Sequence, residues 1–507
     1  MGFQESWVTM IMECITTVTY SILVNGEPKG LITSTRVLRQ GDPLSPYLFL
    51  FCAEGLNAIL NQASESGDIH GFFICKNGPK LTHLFFADDC LLFCQSTLEE
   101  CEKIQQILAY YEEASGQVIN RDKTTLFFSK NTSEQSQEAI KNSLNMPAIQ
   151  HYEKYLGLPS FIGRSKKASF TQIKERIWSR MQGWKEKLLS QVRKEVMIKA
   201  VIQSIPAYSM SVFRLSISLC KDIEAMICKF WWGQGENRKI YWVNWKTMCA
   251  SKSVGGMGFR DIQMFNNAML GKQVWCLFRH RDTLLYKVFS AKYFSHGNIL
   301  DASIHPKCSY AWRSILQARE VIHKGAMWQV GDRKGIDIWD QKWLPDLAYN
   351  KVVSPRIDTQ INKVCDLFLP NSKVWNEDLI NTMFYPWEAS MINNTILSEG
   401  EENDTLVWPL TPNGLYSVRT AYRMQENGVS QENPSSSSIE TAATVWKGVW
   451  NIQAPSKIKH FVWRALRDSL PTKPNLRIRN IMVDETCSLC EDGAETVLHS
   501  LWYCEQA

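Results

Sequence analysis

The run HLFFADDCLLF, residues 83–93, constrains the fold more than any other stretch of this chain. Two adjacent carboxylates interrupt an otherwise apolar segment. The pattern predicts a strand over residues 81–86, a tight turn at Asp88 and Asp89, and a second strand over 90–94. Two readings of the pair stand side by side. Asp favours turns because its side chain bonds the local backbone. Carboxylates on a hairpin tip also offer hard oxygen ligands to a divalent cation such as Mg²⁺, as phosphoryl-transfer sites require.

The neighbouring elements frame this hairpin. Helical spacing covers residues 7–17, and two strands, 20–24 and 31–35, flank NGEPKG, whose Asn25-Gly26 step signals a hairpin. A helix is expected over 44–63 and another over 97–114, with Thr97 as N-cap and Glu100 at N3, a capping box, and Gly116 closing it. A further strand is expected at 124–129. The first 150 residues therefore read as an α+β layer on a mostly antiparallel sheet.

Beyond residue 169 the pattern changes to long helical periods, and eighteen of the 19 tryptophans lie at or after Trp178. The Trp-rich stretches 231–245 and 328–343 read as packing residues, because no titratable constellation accompanies them. Residues 427–440, NGVSQENPSSSSIE, have the composition of a linker. With 507 residues the chain exceeds one core and should form several domains. Its charge is uneven. Residues 151–250 hold 18 Lys and Arg against 7 Asp and Glu, a local +11 in a chain of net +5, so the remainder sums to −6. That band is either a polyanion footprint or an ordinary solvated face.

The longest apolar run, 44–60, is broken by Glu54 and Asn57 and falls short of the roughly 20 residues of a bilayer span. The first residues carry Glu5 and Glu13 and no basic leader, so the expected location is nuclear or cytoplasmic. Most of the 15 cysteines are scattered in apolar surroundings, as reduced core residues are. No HExxH, GxSxG or phosphate-loop Lys-Ser/Thr is present, and VGGMGF at 254–259 reads as a turn.

Chemistry enters with RQGDPLSP at residues 39–46, just before the first long helix. Gln40 offers an amide to a base or sugar, Gly41 permits close backbone approach, and Pro43 and Pro46 stiffen the loop. With FADD, these residues resemble the palm of a reverse transcriptase of the plant LINE-class non-LTR retrotransposons. QGDPLSPYLF is similar to motif B, FADD to motif C, and GQVINRDKTTLFFSK at 116–130 to motif D, with Asn120 and Lys123 at the recurring positions. YLGLPSFIGRSKKASF at 155–170 resembles the start of the thumb.

The resemblance implies an RNA-directed DNA polymerase acting on an RNA template, a DNA primer and deoxynucleotides, with no membrane partner. Asp88 and Asp89 would hold Mg²⁺, Gln40, Gly41, Asp42 and Pro43 would line the template and nucleotide pocket, and Lys123 would sit near the leaving pyrophosphate. Arg164, Lys166 and Lys167 would grip nucleic acid in the basic band. One departure stands out. The family's motif A aspartate lies upstream of QGDPLSP, and the 39 residues before Gln40 contain only Glu5, Glu13 and Glu27 as acids. A truncated palm, with a weak and incomplete Mg²⁺ site, is the expectation. Neither the endonuclease nor the ribonuclease H domain of such elements is expected within these residues.

Near the end, Cys487-x2-Cys490-x8-His499-x4-Cys504 gives three thiolates and an imidazole at zinc-ligand spacing. VWKGVWNIQAPSKIKHFVWRALRDSLPTKPNL at 445–476 and ETVLHSLWYC at 495–504 resemble the zinc-binding domain that follows the reverse transcriptase in plant LINE elements. The expected organisation is a partial palm at 1–150, a basic helical thumb-like region at 151–250, a Trp-rich connection at 251–426, a linker at 427–440 and a Zn²⁺ module at 441–507. Its function would be that of a retrotransposon-derived polymerase fragment. The alternative is a catalytically inactive remnant that still binds nucleic acid.

Overall fold

The computed structural model describes residues 2–33, 41–149, 154–160, 162–185, 189–233, 240–331, 335–345, 350–357, 360–369, 372, 374–395, 403–431 and 438–506. The chain divides into two compact units, Met1–Leu156 and Gly157–Ala507.

In the first unit, α1 (Glu5–Thr16) leads into β1 (Thr19–Val24) and antiparallel β2 (Glu27–Thr33). Asn25 and Gly26 take φ of 53° and 86° between them, the backbone of a two-residue hairpin turn. α2 (Ser45–Glu65) starts where Asp42 Oδ1 accepts the Leu44 N–H at 2.8 Å and Pro46 fills the first turn. β3 (Phe72–Phe73) pairs with β4 (Lys80–Leu81), and β5 (His83–Phe86) with β6 (Asp89–Leu92). α3 (Leu98–Ser115) is capped by Thr97, which accepts the Glu100 N–H, and closes on left-handed Gly116. Glu100 does not reach back to the N-cap amide as a reciprocal box would. Its Oε2 accepts from the Gln95 N–H and its Oε1 meets His70 Nδ1 at 2.7 Å. β7 (Leu126–Phe127) runs parallel to β8 (Ala148–Ile149), with α4 (Glu134–Leu144) between them.

Leu56, Leu60 and Ala63 of α2, Ile69, and Ile107 and Tyr111 of α3 make the core of this unit, and Phe85 and Leu92 of the hairpin pack on it. The unit is α+β as expected, but its strands do not merge into one sheet. Among the described residues each ladder has two strands. The physical reason is visible in β1 and β2, which bury no residue and so have no layer to join.

The second unit is built on helices, chiefly α5 (Thr171–Lys185), α6 (Gln191–Met197), α7 (Ile217–Trp232), α8 (Ile262–Arg279), α9 (Val418–Gln431), α10 (Ser438–Asn451) and α11 (Ser456–Leu466). Ile173, Ile177 and Met181 of α5 interlock with Ile223, Ile227 and Trp231 of α7, and the same core takes in Trp446, Val449 and Trp463 of α10 and α11. The spans that composition separates, 151–250 and 441–507, thus share a core. Helices α9 and α10 also extend into residues 427–440 from either end. Two further cores use the Trp-rich region: Trp275, Trp312 and Trp408 in one, Trp343 and Trp375 in the other. VGGMGF is the turn expected, with Gly255 at φ 81° and its carbonyl accepting from Trp463 Nε1 at 2.9 Å. A methyl at Gly255 would collide with Arg467 and Trp446. Among the described residues no helix is long and apolar enough to cross a membrane.

Candidate functional site

The Asp88–Asp89 hairpin is held from below. His83 Nε2 meets Asn57 Oδ1 of α2 at 2.7 Å, and Asn57 in turn donates to Glu54 at 2.9 Å. Burial pushes the His83 imidazole below its ordinary range, so the fold favours its neutral form. Phe86 pairs with Asp89 across the ladder, leaving Ala87 and Asp88 as the turn, with Ala87 at φ 49°. Both aspartates are exposed. They form a tip from which carboxylate oxygens point to solvent, and among the described residues no third ligating side chain joins them.

The other expected site residues of this unit are distributed as follows. Gln40 lies outside the described residues. Gly41 takes φ 93°, a conformation open to glycine at little cost. Asp42 is committed to starting α2, and Pro43 is exposed beside it. Lys123 is exposed on a turn where its N–H donates to both the carbonyl and side-chain oxygens of Asn120 at 3.2 Å. No described ion pair joins Lys123 to Asp88 or Asp89.

At the far end of the chain, Cys487, Cys490, His499 and Cys504 bring their ligand atoms within 4.8 Å of one another. Cys487 and Cys490 bracket a turn that is tied off by the Cys487 N–H to Gly493 O and the Glu495 N–H to Glu485 O. His499 begins a short π-turn, His499–Tyr503, that Cys504 caps by donating its N–H to His499 O at 2.8 Å. Cys487 Sγ stands 3.9 Å from Cys504 Sγ, and Cys490 Sγ 3.2 Å from His499 Nε2. A disulfide needs sulfurs about 2.05 Å apart. Tetrahedral zinc, with metal–sulfur bonds of about 2.3 Å, sets them about 3.8 Å apart. The donor set and its spacing fit zinc. N–H groups of Cys490 and Leu489 directed at the Cys487 sulfur lower that thiol to about 6, which favours the thiolate a metal requires.

The basic band is only partly available. Lys194 is buried and donates to the carbonyls of Trp231 and Gly233. Lys167 and Lys174 share Asp222 at 2.8 and 3.2 Å, and Lys166 donates to Gly163 O while lying over the Tyr310 ring. Arg164, Arg176, Arg180 and Arg193 are exposed, and none pairs with a carboxylate among the described residues. The part of the band able to meet a polyanion is therefore these arginines, together with exposed Lys221, Lys229 and Lys246, more than Lys166 and Lys167.

Sequence reasoning missed a half-buried ionic cluster. Glu195 accepts from Lys199 at 2.6 Å, Lys252 at 2.8 Å and His460 Nε2 at 2.8 Å. Burial by itself raises a carboxyl group, but the hydrogen bonds from His460 and Lys199, the Lys199 charge and the bond from Lys252 outweigh it and hold Glu195 well below the usual carboxylate range. No local pattern could have announced a contact between residues 195 and 460.

Two family models match. The one described as reverse transcriptase (RNA-dependent DNA polymerase) covers residues 1–160, and the one described as zinc-binding in reverse transcriptase covers residues 416–507. A protein named for ribonuclease H in Arabidopsis thaliana is 30% identical over 365 residues, which is 68% of this chain and 56% of that protein. An uncharacterized mitochondrial protein of Arabidopsis thaliana is 41% identical over 145 residues, covering 28% of this chain and 94% of its own length. A second such mitochondrial protein is 51% identical over 67 residues, 13% of this chain and 55% of that protein. The chain thus spans little more than half the length of the first of these relatives.

Proposed function

This chain belongs to the reverse-transcriptase family of plant retroelements, and we propose that it is a LINE-class polymerase fragment that holds nucleic acid but carries only part of a nucleotidyl-transfer site. The observation that carries this reading is the pairing of two features in one chain: an Asp88–Asp89 hairpin inside the reverse-transcriptase match, and a Cys/His quartet inside the zinc match. Asp88 and Asp89 would supply oxygen ligands to Mg²⁺. They do not by themselves make a two-metal cage, which needs carboxylates on both sides of the attacking and leaving oxygens.

Zinc in this reading is structural, held by Cys487, Cys490, His499 and Cys504. Residues 480–507 contain six Asp and Glu and no Lys or Arg, so the zinc turn itself repels phosphate. The grip on a template and primer comes instead from the arginines of the basic band, Arg164, Arg176, Arg180 and Arg193. Because each neutralised phosphate releases counterions, binding should weaken with salt at about −0.7 in log-log slope per contact on single strands and about −0.9 on duplex. Titration of a labelled RNA template annealed to a DNA primer at several salt concentrations tests this. Charge reversal at Arg164, Arg176 and Arg180 should flatten the slope, and an affinity indifferent to salt would refute the reading.

A further inference from the structure

The aromatic stretch 231–245 divides into rings that the core uses and rings that it does not. Trp231 lies edge-on to Phe259 with centroids 5.3 Å apart, and Trp245 stacks on Phe259 at 5.7 Å. Tyr241 and Trp242 meet no other ring among the described residues, and Tyr241 is 46% exposed. These two residues, with Val243, Asn244 and Thr247, form one wall of an open cleft of about 570 Å³ whose other wall carries Arg467 and Arg479.

Both guanidinium groups are fixed in place by backbone carbonyls. Arg467 donates through Nε to Gly255 O and through Nη2 to Val254 O, each at 2.9 Å, and lies over the Trp446 ring. Arg479 donates through Nη2 to Trp242 O at 3.1 Å. A carbonyl orients a guanidinium without cancelling its charge. Among the described residues no carboxylate pairs with either, and none lines the cleft. Arg477, two positions away, is by contrast paired with Glu485 at 3.1 Å.

Two uncancelled, preoriented cations beside two unengaged aromatic faces match a ligand that is anionic and planar at once. We propose that this cleft binds single-stranded nucleic acid, an unpaired base lying on Tyr241 or Trp242 and its flanking phosphates on Arg467 and Arg479. A duplex hides its base faces, so the aromatic wall selects for unpaired strand. The inference rests on the reading of the chain as a nucleic-acid binder and assigns that binding a second place, apart from the exposed arginines of the basic band.

The test uses the full zinc-loaded chain with a 12-nucleotide RNA carrying 5-iodouridine. Ultraviolet crosslinking followed by peptide mapping should place the adduct on Tyr241 or Trp242. Tyr241→Ala should weaken binding about tenfold, the scale of one lost stacking contact, while Tyr241→Phe keeps it. Arg479→Gln should flatten the salt slope by about 0.7, and Arg477→Gln, an equal loss of charge outside the cleft, should not. Thermal unfolding checks each variant, and the crosslink on the unaltered chain decides should Tyr241→Ala not fold. Salt-dependent binding with crosslinks elsewhere, unchanged by Tyr241→Ala and Arg479→Gln, overturns the cleft and leaves the basic-band reading standing. Displacement of the RNA by equimolar deoxynucleoside triphosphate overturns the strand assignment. A chain that binds no nucleic acid at all overturns both.

Discussion

Glu195 shows how a single side chain can join parts of the sequence that look independent. It is 12% exposed and sits among Lys199, Lys252 and the buried His460, so removing its charge leaves cations facing one another in a poorly hydrated place. Glu195→Gln should cost about 2 kcal/mol of the second unit's stability, below the scale of about 3–5 kcal/mol for a fully buried pair, because the Lys199 and Lys252 side chains are 32% and 37% exposed. The pH dependence follows from the same geometry. The folded carboxyl is held below its unfolded value of about 4.3, so the unfolded chain takes up protons first as acid is added. The stability Glu195 supplies is thus complete above the ordinary carboxylate range and is lost as pH falls below it. Urea midpoints at neutral pH and near pH 3.5 should fall further in the wild-type chain than in Glu195→Gln, and equal losses would show the cluster to be inert. None of this was legible in the sequence. Asp88 was, because its neighbours at 85, 86, 91 and 92 announce a hairpin locally, whereas His460 reaches Glu195 across 265 residues.

At the scale of elements, whatever depends on a few consecutive residues could be read in advance. The Asn25-Gly26 hairpin, the Thr97 cap and the Gly116 stop all stand where their spacing put them. How elements assemble could not be read. The Ser-rich stretch before residue 441 has the composition of a linker, yet α10 and α11 carry Trp446 and Trp463 into a core with Phe259 and Trp231, partners some two hundred residues earlier. This separates the zinc turn from the helices that lead to it. Zinc affinity of about 10–16 kcal/mol in comparable sites should dominate the order of the small turn alone, because Trp463 is already held by Gly255 O and its core neighbours. Chelation of the full chain should therefore speed hydrogen exchange in residues 484–504 while α11 (Ser456–Leu466) stays protected. Exchange that rises equally in α11, or nowhere, would contradict this division. Cys490→Ser should reproduce the effect of the chelator without one.

For the whole molecule the decisive question is whether these 507 residues suffice for chemistry. Phosphoryl transfer depends on placement: two Mg²⁺ ions must hold the attacking hydroxyl and the leaving pyrophosphate in line, and bridging carboxylates must hold the ions. The hairpin offers Asp88 and Asp89. The acids that precede Asp42 are Glu5, Glu13 and Glu27, the first two on α1 and the third opening β2, and none joins the aspartates in a metal-capable group among the described residues. Mg²⁺ demands near-octahedral geometry and releases its waters reluctantly, so two exposed carboxylates would leave it largely hydrated and mobile. An ångström of misplacement already costs about a hundredfold in rate. Primer extension by the 507-residue chain should accordingly stay at background on RNA and DNA templates, at least about a hundredfold below the same chain supplied with an upstream segment that adds a strand-borne aspartate. Asp88→Ala should abolish that rescue yet leave salt-dependent binding intact, since the proposed phosphate contacts are Arg164, Arg176 and Arg180 and not the hairpin. Extension by the unassisted chain that disappears in Asp88→Ala would overturn the argument, because it would require one of the three glutamates to complete the cage.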